Sequence, residues 1–326
     1  VSGYALNPIS KPNFFDNLKL SKFLENDFRA DIKNFSKLNK AIKKSKPNII
    51  FHLAAQSSVL VSYKNPEDTI KTNIIGTFNL LKAIKFNKNV KSAIIVTTDK
   101  VYLNEDKKIN FDENSKLGGH DIYSSSKACC EIVTESFVKS FIDRDKCKIA
   151  TVRSGNCIGG GDWTEDRIIK DCIEAFIHKK SLLIRSPNST RPWQHVLEPI
   201  CGYLKLAEKL LSKNGIKFTG SWNFGPSKIN LSVLNLAKLG KKIFNSESKI
   251  IIEKKSIKKH EAKYLSLDSK KSLKYLKWKV YLKPEVSLKL TFDWFKIFYA
   301  NRKNNKKVIE FTISQFENFK KVIKYF

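Results

Sequence analysis

Three apolar runs, separated by segments with helical spacing, constrain the fold of this chain more than any other feature. The runs are residues 49–55, 92–96 and 149–153. A strand that is buried on both faces of a parallel sheet has such a continuous apolar run, whereas a strand with one wet face alternates. Between the runs, residues 66–86 place apolar side chains at helical intervals. This alternation of strand and helix predicts an α/β fold with a parallel sheet.

Polar residues directly follow the second run, as Thr97-Thr98-Asp99-Lys100. The carboxyl ends of parallel strands border the crevice in which open α/β sheets bind ligands. An acid beside a base at that edge suits proton transfer, although the same pair also suits a surface salt bridge. This stretch on its own leaves both interpretations open.

Tyr123 and Lys127 lie four residues apart in a segment predicted to be helical, so they share one helix face. A lysine in that position can lower the pKa of the tyrosine and stabilise its phenolate. A phenolate can take the proton of an alcohol while the same carbon loses hydride. The spacing alone is a weak signal, because a solvated helix face of a lysine-rich chain produces it equally well.

The formal net charge of +30 is typical of proteins that bind nucleic acid or anionic membranes. The distribution argues against both partners, because only seven of the 61 basic residues are arginine and the lysines are scattered. Four of the arginines lie between positions 153 and 191, beside a glycine-rich stretch at 155–161. Arginine can bind phosphate with two hydrogen bonds, and glycine lets a ligand approach the backbone. This region is therefore predicted to bind a phosphate-containing ligand.

The six cysteines show no paired spacing, which indicates reduced thiols in a cytoplasmic protein rather than disulfides or metal ligands. The sequence also has no run of about 18 apolar residues, the length needed to cross a membrane as a helix. We therefore expect a chain without a metal, membrane or nucleic-acid partner. Its length suits one large domain or two interlocked domains.

The motifs of this chain resemble, in the same order, those of the extended short-chain dehydrogenase/reductase superfamily, and within it the CDP-glucose 4,6-dehydratase family. The Y-x-x-x-K spacing marks only the superfamily, whereas the acid-base pair after the threonines and the tryptophan-containing motifs are more selective. The stretches that carry the resemblance are residues 3–8 (GYALNP), 51–56 (FHLAAQ), 97–100 (TTDK), 118–127 (GGHDIYSSSK), 155–163 (GNCIGGGDW), 191–196 (RPWQHV), 222–226 (WNFGP) and 260–262 (HEA).

The resemblance implies a Rossmann-like doubly wound parallel sheet with a smaller C-terminal substrate domain. The NAD-binding domain would span residues 1–155 and the sugar-nucleotide-binding domain mainly 156–326, with 191–215 returning to the first. It also implies a hydro-lyase that converts CDP-glucose into CDP-4-keto-6-deoxyglucose with bound NAD, in nucleotide-sugar and O-antigen polysaccharide biosynthesis. A homodimer through the helices that bear Asn73 and Tyr123 is expected.

The same resemblance implies a role for each of a small set of residues. Tyr123, assisted by Lys127 and one of two threonines, would deprotonate the sugar 4-hydroxyl. Asp99 would protonate the leaving 6-hydroxyl, and Lys100 would remove the C5 proton. The implied catalytic residues are Thr97, Thr98, Asp99, Lys100, Tyr123 and Lys127. The implied cofactor-binding residues are Asp31, Ile32, Leu53, Ala54, Ala55, Gln56, Asn73, Tyr123 and Lys127. The implied substrate-binding residues are Asn156, Arg167, Arg185, Arg191 and His260.

One departure from the family pattern concerns the cofactor. The family begins with a strand and a G-x-x-G-x-x-G turn whose backbone amides hold the NAD pyrophosphate. No such sequence occurs in this chain. The resemblance implies that the chain starts at the second strand of the family and lacks about 30 residues of the usual dinucleotide unit. We therefore expect it to bind NAD poorly or not at all, although the parent gene encodes the enzyme.

Alternative functions remain at this point. One is another sugar-nucleotide dehydratase or an epimerase of the same superfamily, although an epimerase needs no elimination acid. A second alternative, from a different functional class, is a basic nucleic-acid-binding protein. The net charge is the observation that suggests it. A third is a catalytically silent remnant.

Overall fold

The computed structural model describes residues 1–226, 231–253 and 264–323. The strands are β1 (Ser2–Ala5), β2 (Asn26–Arg29), β3 (Ile49–His52), β4 (Ser92–Val96), β5 (Lys148–Ser154), β6 (Cys157–Ile158), β7 (Leu182–Ile184), β8 (Thr190–Arg191), β9 (Gln194–His195), β10 (Gly220–Phe224), β11 (Leu231–Ser232) and β12 (Ile250–Ile252). The α-helices are α1 (Phe14–Asn17), α2 (Phe35–Ser45), α3 (Val59–Lys64), α4 (Pro66–Ile70), α5 (Gly76–Phe86), α6 (Ile122–Phe141), α7 (Ile168–Ile177), α8 (Leu197–Leu211), α9 (Val233–Phe244), α10 (Lys270–Leu276), α11 (Pro284–Ala300) and α12 (Asn305–Ile323).

A four-stranded parallel sheet forms the centre of the molecule, in the order β10-β5-β4-β3. Strands β3, β4 and β5 lie in the three apolar runs that the sequence predicts as strands. The predicted parallel sheet is therefore confirmed. The residues of β4 are almost all buried, because helices cover both faces of the strand. The carboxyl ends of these strands all point to the same edge.

Strands β1 and β2 form a second, two-stranded parallel sheet. Within the described residues, no backbone hydrogen bonds join β1 to β3. The single sheet that the sequence predicts is therefore divided into two sheets. Tyr4 of β1 still packs against the same apolar core as Ile50 and Ala54. Phe51 of β3 is partly exposed at the edge of the larger sheet.

The predicted helix over residues 66–86 is interrupted by one π-helical turn, Lys71–Ile75. A π-helical turn inserts an extra residue into a helix and is frequent at functional sites. Here it holds Asn73, which is buried. The helix that carries Tyr123 is confirmed as α6. Its first turn is capped by Asp121, whose carboxylate accepts hydrogen bonds from the amide (2.9 Å) and hydroxyl (2.7 Å) of Ser124.

The C-terminal part has its own aromatic core around Trp163. The ring centroid of Trp163 lies 5.7 Å from that of Trp294, 5.5 Å from Phe295 and 4.9 Å from Phe298. Helix α8 packs instead on β4, β5 and β10. Strand β10 also joins the central sheet, by pairing with β5.

Within the described ranges, no helix combines the length and apolarity that a membrane crossing requires. The same residues contain no cluster of metal-binding side chains. All six cysteines are unpaired thiols.

A buried carboxyl group in α8 should make the stability of the protein depend on pH. Glu198 is 0% exposed, and its Oε1 accepts hydrogen bonds from the amides of Tyr281 (2.9 Å) and Leu282 (2.7 Å). Burial raises the pKa of Glu198 to about 7. A carboxyl whose folded pKa exceeds its unfolded value contributes stability at low pH, and that contribution is lost as the pH rises through 7.

We expect the free energy of unfolding of the wild type to fall by about 2 kcal/mol, relative to Glu198→Gln, between pH 5.5 and 8.5. The glutamine carbonyl can still accept both hydrogen bonds but does not titrate. The ionisable groups that interact with Glu198 are Cys201 and Tyr281, which are common to both proteins. Urea unfolding at three pH values measures the difference, and parallel pH dependences would contradict it.

Candidate active site

A cavity of about 570 Å³ lies at the carboxyl ends of the central strands, where the two parts of the chain meet. Its volume is in the range of small-molecule sites. It is lined by residues from both halves of the sequence. Those that the sequence predicts as site residues are Thr97, Thr98, Asp99, Lys100, Tyr123, Asn156, Arg167, Arg185 and Arg191. His260 lies outside the described residues.

The two threonines after β4 have different partners. The hydroxyl of Thr97 donates to Glu131 Oε1 (2.5 Å) and to the carbonyl of Val152 (3.1 Å). The hydroxyl of Thr98 donates to Asp99 Oδ1 (3.0 Å). The sequence left either threonine open as the partner of the phenol; of the two, Thr98 is the one that acts on the pKa of Tyr123, which it lowers against the effect of burial.

Asp99 and Lys100 begin a short 3₁₀ turn at the end of β4. Asp99 is 1% exposed, so the pair is not a surface salt bridge. Its Oδ1 accepts hydrogen bonds from Thr98 and from Lys100 Nζ (3.3 Å). Its Oδ2 has no hydrogen-bond partner among the described residues. A buried carboxyl oxygen without a partner is costly, and a hydroxyl of a bound ligand would satisfy it.

The pKa values of Tyr123 and Lys127 differ from the sequence-based expectation. Burial raises the pKa of Tyr123 to about 12, against the opposing effects of Thr98 and Arg167. Burial also lowers the pKa of Lys127, whose Nζ donates to the carbonyl of Val96 (3.0 Å). The expected lowering of the tyrosine pKa is therefore wrong in direction, because desolvation of the phenolate outweighs the nearby positive charge.

Asn73 joins the loop after β3 to the Tyr123 helix. Its Oδ1 accepts a hydrogen bond from the amide of Gln56 (2.9 Å), and its Nδ2 donates to the carbonyl of Gln56 (3.1 Å). The same Nδ2 donates to Ser126 Oγ (2.8 Å). The loop itself, which includes Ala54 and Ala55, leaves Leu53 60% exposed.

The predicted adenine-binding residues lie just beyond β2. The carboxylate of Asp31 accepts a hydrogen bond from the amide of Lys33 (2.8 Å), and its Oδ2 lies 3.4 Å from Lys33 Nζ. The side chain of Ile32 is instead buried in the apolar core against Gly76. Ile32 therefore cannot offer its side chain to a ligand, because its apolar character favours the core.

The glycine-rich stretch divides into two parts, since Gly155 and Gly159 line the cavity whereas Gly160 and Gly161 pack against aromatic rings of the protein. A Cβ on Gly160 would lie 2.1 Å from Trp294 Cγ, and one on Gly161 would lie 2.1 Å from Phe14 Cδ2. Gly161 also has a φ of +82°. The absence of side chains here lets the loop pack against protein rings rather than against a ligand.

The four clustered arginines do not share one role. Arg153 is buried and pairs with Glu131, so it is not available to a ligand. Arg167 Nη2 donates to the carbonyl of Ser57 (3.3 Å), which connects the two sides of the cavity. Arg185 Nη2 lies 3.3 Å from Asp166 Oδ1. Sequence reasoning missed Glu131, which could have been noticed as an acidic residue one helical turn beyond Lys127.

The parallel sheet, the cavity at its strand ends and the tyrosine-lysine pair define the class of protein. A sequence profile of the GDP-mannose 4,6 dehydratase family matches residues 16–290, and the chain belongs to that family. Among individual relatives, it is 38% identical over 284 residues to CDP-glucose 4,6-dehydratase of Salmonella typhimurium, covering 85% of this chain and 78% of that protein. It is 26% identical over 310 residues to dTDP-D-glucose 4,6-dehydratase of Mus musculus, covering 94% and 81%.

Solved structures confirm the Rossmann-like fold. UDP-glucuronic acid 4-epimerase from Bacillus cereus superposes with a TM-score of 0.78 at 22% identity, covering 91% of this chain and 90% of that one. dTDP-glucose 4,6-dehydratase from Bacillus anthracis, crystallised in complex with NAD, superposes with a TM-score of 0.73 at 19% identity, covering 94% and 89%.

Proposed function

We propose that this protein is an NAD-dependent dehydratase that converts CDP-glucose into CDP-4-keto-6-deoxyglucose. The observation that carries the proposal is the adjacency of Asp99 and Lys100 to Tyr123 in one cavity, which supplies an alcohol base together with an elimination acid and base. The similarity to the Salmonella enzyme supports the CDP-glucose substrate. The activity belongs to nucleotide-sugar biosynthesis.

The residues of the chain divide the proton transfers between them. Tyr123 takes the proton of the sugar 4-hydroxyl. The resulting ketone acidifies the C5 proton, which Lys100 removes and, after the water has left, returns to C5. Asp99 donates a proton to the leaving 6-hydroxyl, and its Oδ2 is the oxygen with no partner in the described chain. Each group acts as a positioned general acid or base.

NAD, when bound, supplies the hydride acceptor for C4 and returns the hydride to C6. The residues that would hold it are those of the 53–56 loop, with Asn73, Asp31, Tyr123 and Lys127. Two observations support this set. The apolar side chain of Leu53 is exposed. The buried ammonium group of Lys127 donates one of its three N–H groups to the carbonyl of Val96, which leaves two for a ligand.

The diphosphate of the sugar nucleotide would lie against the arginines of the second half. Arg167, Arg185 and Arg191 line the cavity, and a dianion is bound well by guanidinium groups. Asn156 lines the same region, and its Oδ1 accepts no hydrogen bond from the described residues. His260 completes the proposed set by resemblance.

Product analysis tests the proposal. Purified protein is incubated with NAD and, separately, with CDP-, dTDP-, UDP- and GDP-linked sugars, and the products are analysed by mass spectrometry. Loss of one water from CDP-glucose supports the proposal, and loss from another nucleotide sugar changes the substrate. An isomer of unchanged mass would instead favour an epimerase.

Two further parts of the proposal concern organisation. The division into an NAD-binding part (1–155) and a mainly substrate-binding part (156–326) is retained, with a cytoplasmic location that suits six unpaired thiols. A homodimer through α5 and α6 is supported by the apolar side chains that these helices expose, among them Phe78 and Ile132. Light scattering of the purified protein tests the dimer.

A further inference from the structure

A carboxylate outside the cavity connects the elements that carry the proposed catalytic groups. Glu131 lies on α6, one helical turn beyond Lys127, and is 5% exposed. Its Oε1 accepts hydrogen bonds from Thr97 Oγ1 (2.5 Å) and Arg153 Nε (2.9 Å). Its Oε2 accepts from Arg153 Nη2 (3.0 Å) and from the hydroxyl of Thr151. One carboxylate thus binds α6 to the ends of both β4 and β5.

The network continues beyond this ion pair. Arg153 Nη1 donates to the hydroxyl of Tyr102 (2.9 Å), which in turn donates to Asn223 Oδ1 (2.7 Å) on β10. A buried ion pair often adds little stability compared with an apolar pair, and its best-attested use is to fix one arrangement. Glu131 and Arg153 are absent from the cavity wall, so direct contact with substrate is not their role.

We propose that Glu131 is a positioning residue for the proposed dehydration, which fixes α6 against the end of β4 so that Tyr123 is held in the cavity that Asp99 and Lys100 also line. This inference rests on the proposed function. Thr97 is held by Glu131 and lies two residues before Asp99, while Tyr123 and Lys127 lie on the two helical turns before Glu131. A small rotation of α6 would move the phenol relative to Asp99 and Lys100, and misplacement of about 1 Å can cost a hundredfold in rate.

The charge of Glu131 has a second effect. Burial lowers the pKa of Lys127, and the negative charge of Glu131 acts against that lowering. The remaining charged or titratable neighbour is His52 on β3, which burial and Lys127 keep neutral by lowering its pKa to about 3. Loss of the glutamate charge should therefore move the deprotonation of Lys127 to lower pH.

The test compares Glu131→Gln and Thr151→Val with the control Thr134→Val. Thr151→Val removes one hydrogen bond to Glu131 and keeps the side-chain shape. Thr134 lies on the same helix, is buried, and makes no hydrogen bond with the described residues. We expect kcat to fall between about tenfold and a hundredfold in Glu131→Gln, with KM for CDP-glucose nearly unchanged. Thr151→Val should show a smaller fall, and Thr134→Val should match the wild type.

The pH profile separates positioning from simple destabilisation. In Glu131→Gln, Lys127 loses a neighbouring negative charge, so any decline of kcat caused by its deprotonation should begin at lower pH than in the wild type. If Glu131→Gln does not fold, the paired variant Glu131→Leu/Arg153→Met replaces the ion pair by apolar groups and takes its place. Folded variants with the wild-type kcat and pH profile would overturn the inference and leave the proposed function intact.

If the wild type forms no dehydrated product from CDP-glucose, the proposed function is overturned. The positioning role of Glu131 is then tested separately, by amide hydrogen exchange. Faster exchange in Glu131→Gln confined to residues 97–102 and 122–131 would support the positioning role of the glutamate. Unchanged exchange in both segments would overturn it.

Discussion

Tyr123→Phe should lower the rate of dehydration of CDP-glucose by about a thousandfold or more, because the phenol is the proposed base for the 4-hydroxyl and general acid-base groups contribute about 10²–10⁴. Binding of the substrate should change little, since the ring remains. Quenched reactions followed by mass spectrometry measure the rate, and calorimetry measures binding. Tyr275→Phe is a matched control, because Tyr275 is exposed and lies outside the cavity.

The pH dependence gives this prediction a second readout. Because burial raises the pKa of Tyr123 to about 12, the neutral phenol dominates near pH 7. The phenolate fraction then rises about tenfold per pH unit below that pKa, so the oxidation rate of the wild type should rise with pH. The residual rate of Tyr123→Phe should lack this rise. A variant with a rate within fivefold of the wild type would exclude Tyr123 as the base.

Asp99→Asn should block the elimination of water while leaving removal of the C5 proton in place. Asparagine keeps the shape of the side chain but cannot donate a carboxylic proton to the leaving hydroxyl. We expect dehydration to fall by about 10²–10³, within the range for loss of a general acid. Recovered CDP-glucose should still gain deuterium at C5 in heavy water, because Lys100 remains.

Lys100→Met is the complementary variant and should lose both dehydration and the exchange at C5. Asp145→Asn, at an exposed position, controls for the loss of a carboxylate. Deuterium at C5 is measured by mass spectrometry of the recovered nucleotide sugar. Loss of exchange in Asp99→Asn together with normal exchange in Lys100→Met would reverse the proposed roles.

Much of the site could be anticipated from local sequence. The run at 92–96 predicted β4, and the polar residues after it fell at the cavity because parallel strands end at one edge. The segment that holds Tyr123 and Lys127 was predicted to be helical, and it forms α6. Electrostatics could not be anticipated in the same way. The direction of the tyrosine pKa shift depends on burial, which is a property of the whole fold.

Local sequence was also misleading where a residue type has two common uses. The glycines at 160 and 161 suit a phosphate loop and suit close packing equally well, and only the positions of Trp294 and Phe14 decide between these uses. Likewise, Arg153 belongs to a cluster that suggested phosphate, but Glu131 on the facing helix pairs with it. The weak binding of NAD expected from the missing glycine turn stays a prediction.

The sequence by itself determined the parallel α/β architecture and the residue types at the strand ends, because hydrophobic periodicity and strand polarity are local properties of the chain. Only the tertiary structure decided which arginines line the cavity and that Glu131 connects α6 to β4 and β5. These contacts join residues far apart in the chain. Their partners are selected by packing and desolvation, which spacing along one chain does not encode.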